Sequence, residues 1–178
     1  MARGKHCVGL DIGSSSVKLC VLKETKRGLQ LQTFDYTSLP PETIVDGSLL
    51  NASVVADAIM ELLGRHKIRQ KETAMSVSGN TVIIRKITLP LMTQEELRES
   101  IQWEAEQYIP FDINEVYIGH EVIAPRTEQA QMDVVLVAAK KEMIDDYRSV
   151  CEDAGLKPRV VDVDAFALQN AYEVNYQF

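Results

Sequence analysis

The chain has 178 residues, 46% hydrophobic and 25% charged, with a formal net charge of −7. That length holds one good core, or a larger and a smaller lobe, and the composition is that of a globular protein. The acidic balance argues against nucleic-acid binding as its main task, which needs clustered Lys and Arg; basic residues are instead scattered, as at Lys23, Lys26 and Arg27 or Lys140 and Lys141. The three cysteines, Cys7, Cys20 and Cys151, show no CxxC spacing and each lies in an apolar run. They read as buried free thiols in a reducing compartment. No apolar stretch approaches the roughly 18 residues of a membrane span. The basic stretch Met1–His6 is not followed by a signal-peptide core, so a cytoplasmic location is expected.

The first predicted element is a short apolar strand over Cys7–Leu10, followed by an alternating strand from Val17 to Leu22. Between them lies Asp11-Ile12-Gly13-Ser14-Ser15-Ser16, with Lys18 just beyond. Gly13 lacks a Cβ, can adopt φ > 0 and would let a ligand approach the main chain. Successive N–H groups after it would form a nest for an anion, with the Ser14, Ser15 and Ser16 hydroxyls as further donors. Asp11 is placed to hold a hydrated Mg²⁺, and Lys18 to meet phosphate oxygens. The same residue types also make ordinary hairpin turns. No Gly-Lys-Ser/Thr follows and no helix opens there, so this is not a Walker loop.

Gly28–Tyr36 predicts a third antiparallel strand, ended by Leu39-Pro40-Pro41. Asp46-Gly47 is a turn. Asn51 is placed to cap a helix with the stripe Val54, Val55, Ala58, Ile59, Leu62 and Leu63, and Arg65, His66 and Lys67 suit its C-terminus. Ala74–Ser78 reads as a buried strand closed by Gly79-Asn80. Three strands, a helix and a strand make most of an α/β half-domain.

Val82–Leu89 is a β-branched strand stopped by Pro90. Thr93 with Glu96 forms a capping box for a helix whose inner face is Leu97, Ile101, Ala105 and Tyr108. Val116–Ala124 and Met132–Ala139 are strands joined by a polar turn. Lys141–Ala154 is a helix with Met143, Tyr147, Val150, Cys151 and Ala154 inward, closed by Gly155 as its C′ residue. Arg159–Val163 is a strand and Ala165–Tyr172 a helix. The expected division is residues 1–79 and 159–178 as one domain, with 80–158 as an inserted α+β module.

Asp11-Ile-Gly-Ser-Ser-Ser-Val-Lys18 resembles the first phosphate motif of the actin, heat-shock chaperone and sugar-kinase superfamily. An α+β insertion at this place is similar to that of the FtsA branch. Three further stretches resemble the PilM family of type IV pilus assembly proteins. These are Lys86-Ile-Thr-Leu-Pro90 leading to Ile101-Gln-Trp-Glu-Ala-Glu-Gln-Tyr-Ile-Pro-Phe111, then Val135-Leu-Val-Ala-Ala-Lys140, and Ala154-Gly-Leu-Lys-Pro158 with Val161-Asp-Val-Asp-Ala-Phe-Ala-Leu168. The resemblance runs across essentially the whole chain, and the helix ending in Glu-Gln-Tyr-Ile-Pro-Phe is its most specific piece.

That resemblance implies an α/β, actin-like (ribonuclease H-like) half-domain with an inserted FtsA-type module, matching the N-terminal half of the family. It implies ATP with Mg as cofactors, held by Asp11, Gly13, Ser14, Ser15, Ser16 and Lys18, with Mg reached from Asp11 through water. One half supplies one wall of the nucleotide cleft. It further implies a cytoplasmic scaffold that docks the N-terminal cytoplasmic tail of an inner-membrane PilN-like protein, in a groove between half-domain and module. Other pilus-machine components and self-assembly into a ring belong to the same expectation, as does twitching motility. An active ATPase or phosphotransferase, or an FtsA-like cell-division protein, are the alternatives within the superfamily. The latter needs a C-terminal amphipathic helix, for which Glu173–Phe178 is too short.

Other groups carry less. The pairs Glu95/Glu96 and Glu104/Glu106 suit a solvated helix face. Asp162 and Asp164 close a strand that enters a helix, where either a capping role or the orienting of water or metal is open. The three histidines fit no metal-ligand spacing, and Ser14–Ser16 have no histidine partner. Trp103 lies off the inner stripe of its helix, where it packs on the neighbouring half-domain or faces a partner. Asn51-Ala-Ser53 matters as a sequon only in a secreted protein.

Overall fold

The computed structural model describes residues 7–26 and 28–176, with the side chains of 125–127 excepted. The basic stretch 1–6, Arg27 and the end at 177–178 lie outside the described residues. In chain order the elements begin with β1 (Val8–Ile12), β2 (Ser16–Thr25), β3 (Gly28–Ser38), β4 (Ile44–Val45), β5 (Ser48–Leu49), α1 (Ala52–Arg65) and β6 (Glu72–Val77). They continue with β7 (Val82–Pro90), α2 (Gln94–Glu106), β8 (Val116–Arg126), β9 (Gln131–Lys140), α3 (Lys141–Asp153), β10 (Lys157–Val163) and α4 (Asp164–Asn175). The chain forms two compact units: residues 1–79 with 144–178, and residues 80–143.

The first unit is built on a five-stranded sheet in the order β10-β6-β1-β2-β3. β1, β2 and β3 form an antiparallel meander, while β6 runs parallel to β1 and β10 parallel to β6. Alternation sorts the side chains: Val8, Leu10, Ile12, Val17, Leu19, Thr73, Met75 and Val77 are all buried on one face. Against that face pack the apolar stripes of α1 (Val55, Ala58, Ile59, Leu62) and α3 (Tyr147, Val150, Cys151). Each large aliphatic side chain so buried contributes about 1.5–3 kcal/mol. Cys151 Sγ lies 3.7 Å from Met75 Sδ, and burial pushes its thiol pKa up to about 12, with Glu152 adding to the shift. Of the three predicted buried thiols only Cys151 is fully enclosed; Cys7 and Cys20 are half-buried.

The sequence division at 159 is corrected by this packing. The chain rejoins the first unit at Ile144, because the inward face of α3 lies with Met75 rather than with the module. The end of α3 is as expected. Gly155 takes φ +76, its N–H donates to Glu152 O and that of Leu156 to Cys151 O, satisfying the last carbonyls. At α1, Asn51 holds the N-cap position but makes no cap bond; its side chain accepts from Ser53 Oγ at 3.0 Å. Asp46-Gly47 turns out to be the loop of a small β4–β5 hairpin, both residues at positive φ (51° and 83°) as a two-residue turn requires.

The second unit is a three-stranded antiparallel sheet, β7-β9-β8, with α2 on one face. Ile87, Leu89, Leu97, Ile101, Ala105, Val134 and Leu136 form its core. The predicted capping box is present: Thr93 Oγ1 accepts from Glu96 N at 3.2 Å, and the Glu96 carboxylate accepts from Thr93 N at 2.8 Å. The Thr93 N–H foremost, and then the Thr93 hydroxyl donating to the same carboxylate at 3.0 Å, hold the Glu96 pKa below its ordinary value. Tyr108 was expected inward but is exposed, since α2 ends at Glu106. Pro90 closes β7, which is an edge strand with no ladder donor to lose there.

Candidate functional site

The site is assembled at the turn between β1 and β2, and the ladder around it fixes which residues meet. Asp11 pairs in register with Lys18, and Ile12 with Val17, so the turn is closed by Gly13–Ser15. Gly13 N–H donates to Ser16 O at 3.1 Å, and Ser15 O accepts from Leu39 N at 2.9 Å, tying the loop to the chain beyond β3. The amides of Ser14 and Ser15 have no acceptor among the described residues, and both residues are exposed. Lys18 Nζ lies 3.0 Å from Asp11 Oδ2 at the surface.

Two expectations about this loop are corrected. Gly13 is not among the glycines with positive φ. Its lack of a side chain matters differently: a Cβ there would stand 3.1 Å from Lys18 Nζ, so glycine makes room for the ammonium beside Asp11. Ser16 is buried at the start of β2, leaving Ser14 and Ser15 as the exposed hydroxyls.

Register extends the site beyond the hairpin. Asp11 is level with Ser76 across the parallel β1–β6 ladder, and Ser76 is level with Asp162 on β10. On the other side Lys18 is level with Tyr36 of β3. In-register partners project to the same face, so Asp162, Ser76, Asp11, Lys18 and Tyr36 form one polar row. The row crosses the carboxyl ends of the three parallel strands, the usual ligand edge of an open α/β sheet. Ser76 was missed, for nothing in Ala74–Ser78 marks it until β6 is paired with β1. One Asp162 oxygen accepts from Val163 N at 2.7 Å. Asp164 sits at the first helical residue, accepting from Ala165 N at 2.6 Å, while Val163 occupies the N-cap position.

Electrostatically the row is mixed rather than uniformly anionic. The charge of Asp11 reaches Tyr147, whose pKa is raised first by burial and then by that carboxylate. Among the described residues no cluster of three or more His, Cys, Asp or Glu side chains could hold a metal. A hydrated Mg²⁺ anchored by one carboxylate and by ligand phosphates does not need one. Free main-chain N–H groups, an ammonium and exposed hydroxyls converging on one turn are what a phosphate group requires, and the donor set fits.

The family model for type IV pilus assembly protein PilM matches residues 9–178. The chain belongs to the PilM family. Among solved structures, this PilM-family chain is similar to a chain of a PilM-PilN type IV pilus biogenesis complex, with 32% identity and a TM-score of 0.85 over 95% of its residues. It spans 50% of the length of that chain. Fold alone is shared with the cytoplasmic domain of EpsL, an inner-membrane component of the Vibrio cholerae type II secretion system (TM-score 0.61, 11% identity, 92% of this chain and 59% of that one). The same holds for the ethanolamine utilization protein EutJ of Carboxydothermus hydrogenoformans (TM-score 0.52, 11% identity, 97% and 42%). The architecture is thus an actin-like α/β half-domain with an α+β unit set within it. No helix among the described residues is long and apolar enough to cross a membrane.

Proposed function

We propose that this chain is the nucleotide-binding N-terminal half of a cytoplasmic, actin-like scaffold of a type IV pilus machine. It binds ATP with Mg²⁺ at the 11–18 hairpin and docks the cytoplasmic tail of an inner-membrane PilN-like protein, which holds it at the membrane. The observation that carries the nucleotide part is the turn itself, with two acceptor-free amides beside an Asp11–Lys18 pair. In the bound form Lys18 exchanges a carboxylate oxygen for a phosphate oxygen, and Asp11 is released to hold the hydrated cation. The magnesium supplies charge neutralisation for the phosphates, while Gly13, Ser14 and Ser15 supply close backbone approach. The partner reading is supported by membership of the PilM family and by likeness to a chain solved in a PilM-PilN complex.

The second reading, an active ATPase, is favoured by one observation. Asp162 keeps one carboxylate oxygen without a partner among the described residues, on the same row as Asp11. Such a group can orient water at a phosphate. Calorimetric titration of the full-length protein with Mg-ATP, and separately with a synthetic PilN-type tail peptide, decides between the two. The scaffold reading expects both to bind and phosphate release to be negligible. Brisk hydrolysis without peptide affinity overturns it in favour of the enzyme.

A further inference from the structure

The net charge of −7 conceals a basic end of the first unit. From 62 to 71 the sequence Leu-Leu-Gly-Arg-His-Lys-Ile-Arg-Gln-Lys has five basic residues and no acid. Two of them are accounted for by the fold: Arg65 pairs with Asp35 and Glu61, and His66 Nε2 lies 2.8 Å from Asp35. A helix C-terminus also favours cations, but only within its last turn. Lys67, Arg69 and Lys71 lie beyond the end of α1 at Arg65, exposed and without an acidic partner among the described residues. Lys157 is in the same state beside them, its N–H donating to Lys71 O at 2.7 Å.

These cations surround apolar surface. Lys67, Arg69 and Lys71 line an open depression of about 350 Å³ together with Met60, Leu63 and Ile68, and no acidic residue lines it. Lys67 is held there against its backbone preference. It takes φ +53 as the C′ residue of α1, its N–H donating to Gly64 O and that of Ile68 to Leu63 O. Glycine is favoured at that position because it has no Cβ. What the lysine adds there, at the cost of strain, is charge at the mouth of the depression. The place in the fold is also informative. β6 and β10 begin beside the depression, at Glu72 and Lys157, whereas the Asp11–Lys18 hairpin lies at the carboxyl end of the sheet. The basic patch and the polar row are thus at opposite ends of one sheet, and both can be occupied at once.

We propose that this patch rests on an anionic lipid surface, with Lys67, Arg69, Lys71 and Lys157 meeting phosphate groups and Met60 and Ile68 lying among the headgroups. A few apolar side chains ringed by cations, on an open surface, suit a fluid interface. A protein anchor would instead be met by an enclosed pocket. The contact is superficial and requires no inserted segment. Each Lys or Arg near such a surface strengthens binding about fivefold at low salt. The net charge of −7 opposes it, so the contact is weak, oriented by the patch and screened by salt. It rests on the scaffold reading only in placing the chain near a membrane, and it adds to the hold of the tail without using it.

Flotation of the full-length protein with vesicles, without nucleotide or tail peptide, is the experiment. Vesicles of equal parts phosphatidylglycerol and phosphatidylcholine are expected to carry the protein at low salt and to release it at raised salt. Vesicles of phosphatidylcholine alone are expected to leave it behind. Arg69→Ser and Lys71→Ser should each weaken binding about fivefold. The triple variant Lys67→Ser, Arg69→Ser, Lys71→Ser should abolish it, with circular dichroism confirming the fold. Lys67→Gly separates charge from structure: its urea midpoint should rise, because glycine accepts the positive φ, while vesicle binding falls about fivefold. Wild-type binding by Lys67→Gly, a triple variant that still floats, or equal binding to phosphatidylcholine would each overturn the proposal. So would a wild type that does not float, and its capture by immobilised poly-glutamate would then assign the patch to an acidic protein segment. Because ATP and tail are both absent, failure here leaves the calorimetric test of the scaffold reading unaffected.

Discussion

The two faces of the five-stranded sheet are made by the same strands, residue by residue, and yet they have opposite characters. On β3 the alternation is plain. Thr37 and Asp35 reach Glu61 and Arg65 of α1 and His66 at its C-cap, whereas Phe34 and Tyr36, one residue away, are exposed. On β1 it separates Leu10 from Asp11, and on β2 Leu19 from Lys18. The face toward the helices is closed and apolar, and its chemistry is stability. The other keeps a polar row in register across all five strands, and on the reading proposed above that row is where a nucleotide is held.

The sharpest way to break this contrast is to remove one side chain from the closed face. Leu19 is fully buried, and Leu19→Ala should cost about 2–5 kcal/mol through lost burial and the cavity left behind. Urea unfolding would show it as a lower midpoint at unchanged slope. A cost under 1 kcal/mol would mean that the core can collapse around the gap. Across the sheet, Asp11→Ala or Lys18→Ala should leave stability within about 0.5 kcal/mol, because both side chains stand at the surface. Nucleotide affinity of the full-length protein should instead fall by about tenfold to a hundredfold, the worth of one charge-assisted contact. Wild-type affinity in both variants would end the phosphate-loop reading.

A subtler probe sits on the closed face, where polarity was retained. Thr73 is fully buried, and its Oγ1 donates to Val8 O at 3.1 Å across the β1–β6 ladder. Thr73→Val keeps the shape and deletes that bond, so the loss should be about 1 kcal/mol. A variant as stable as wild type would show that the hydroxyl is an incidental passenger in an otherwise apolar face.

What the sequence disclosed follows the distance over which a feature is determined. The β1–β2 hairpin, the capping box at Thr93 and Glu96, and the glycine closure at Gly155 are set by neighbours within a few residues, and each was legible. So was the amphipathic stripe of α1. What α3 packs against was not, because an apolar helix face does not name its sheet; hence the shift of the return from 159 to 144. Ser76 joined the row only through pairing of β6 with β1, strands more than sixty residues apart in the chain. The role of Gly13 lay between, since its position was readable but the Lys18 ammonium that needs its missing Cβ was not.

The smallest expected effect concerns the charged rim of the closed face and separates folding from function by pH. Asp35 accepts from Arg65 Nη1 at 2.7 Å and from Tyr36 N at 2.8 Å, with His66 Nε2 at 2.8 Å. These contacts, the histidine's foremost, lower its pKa to about 2 from an ordinary 3.8. A carboxylate whose pKa is depressed by folding stabilises the native state above its unfolded value, and that contribution disappears as the pH falls through the folded one. The window is therefore pH 4 down to pH 2. Asp35→Asn cannot titrate, so its stability should decline less steeply than that of wild type across that interval. Urea midpoints measured at half-unit steps would resolve it. Identical slopes below pH 4 would mean that the exposed pairs on the rim are screened by solvent, and that the buried apolar stripe of α1, not these pairs, holds it to the sheet.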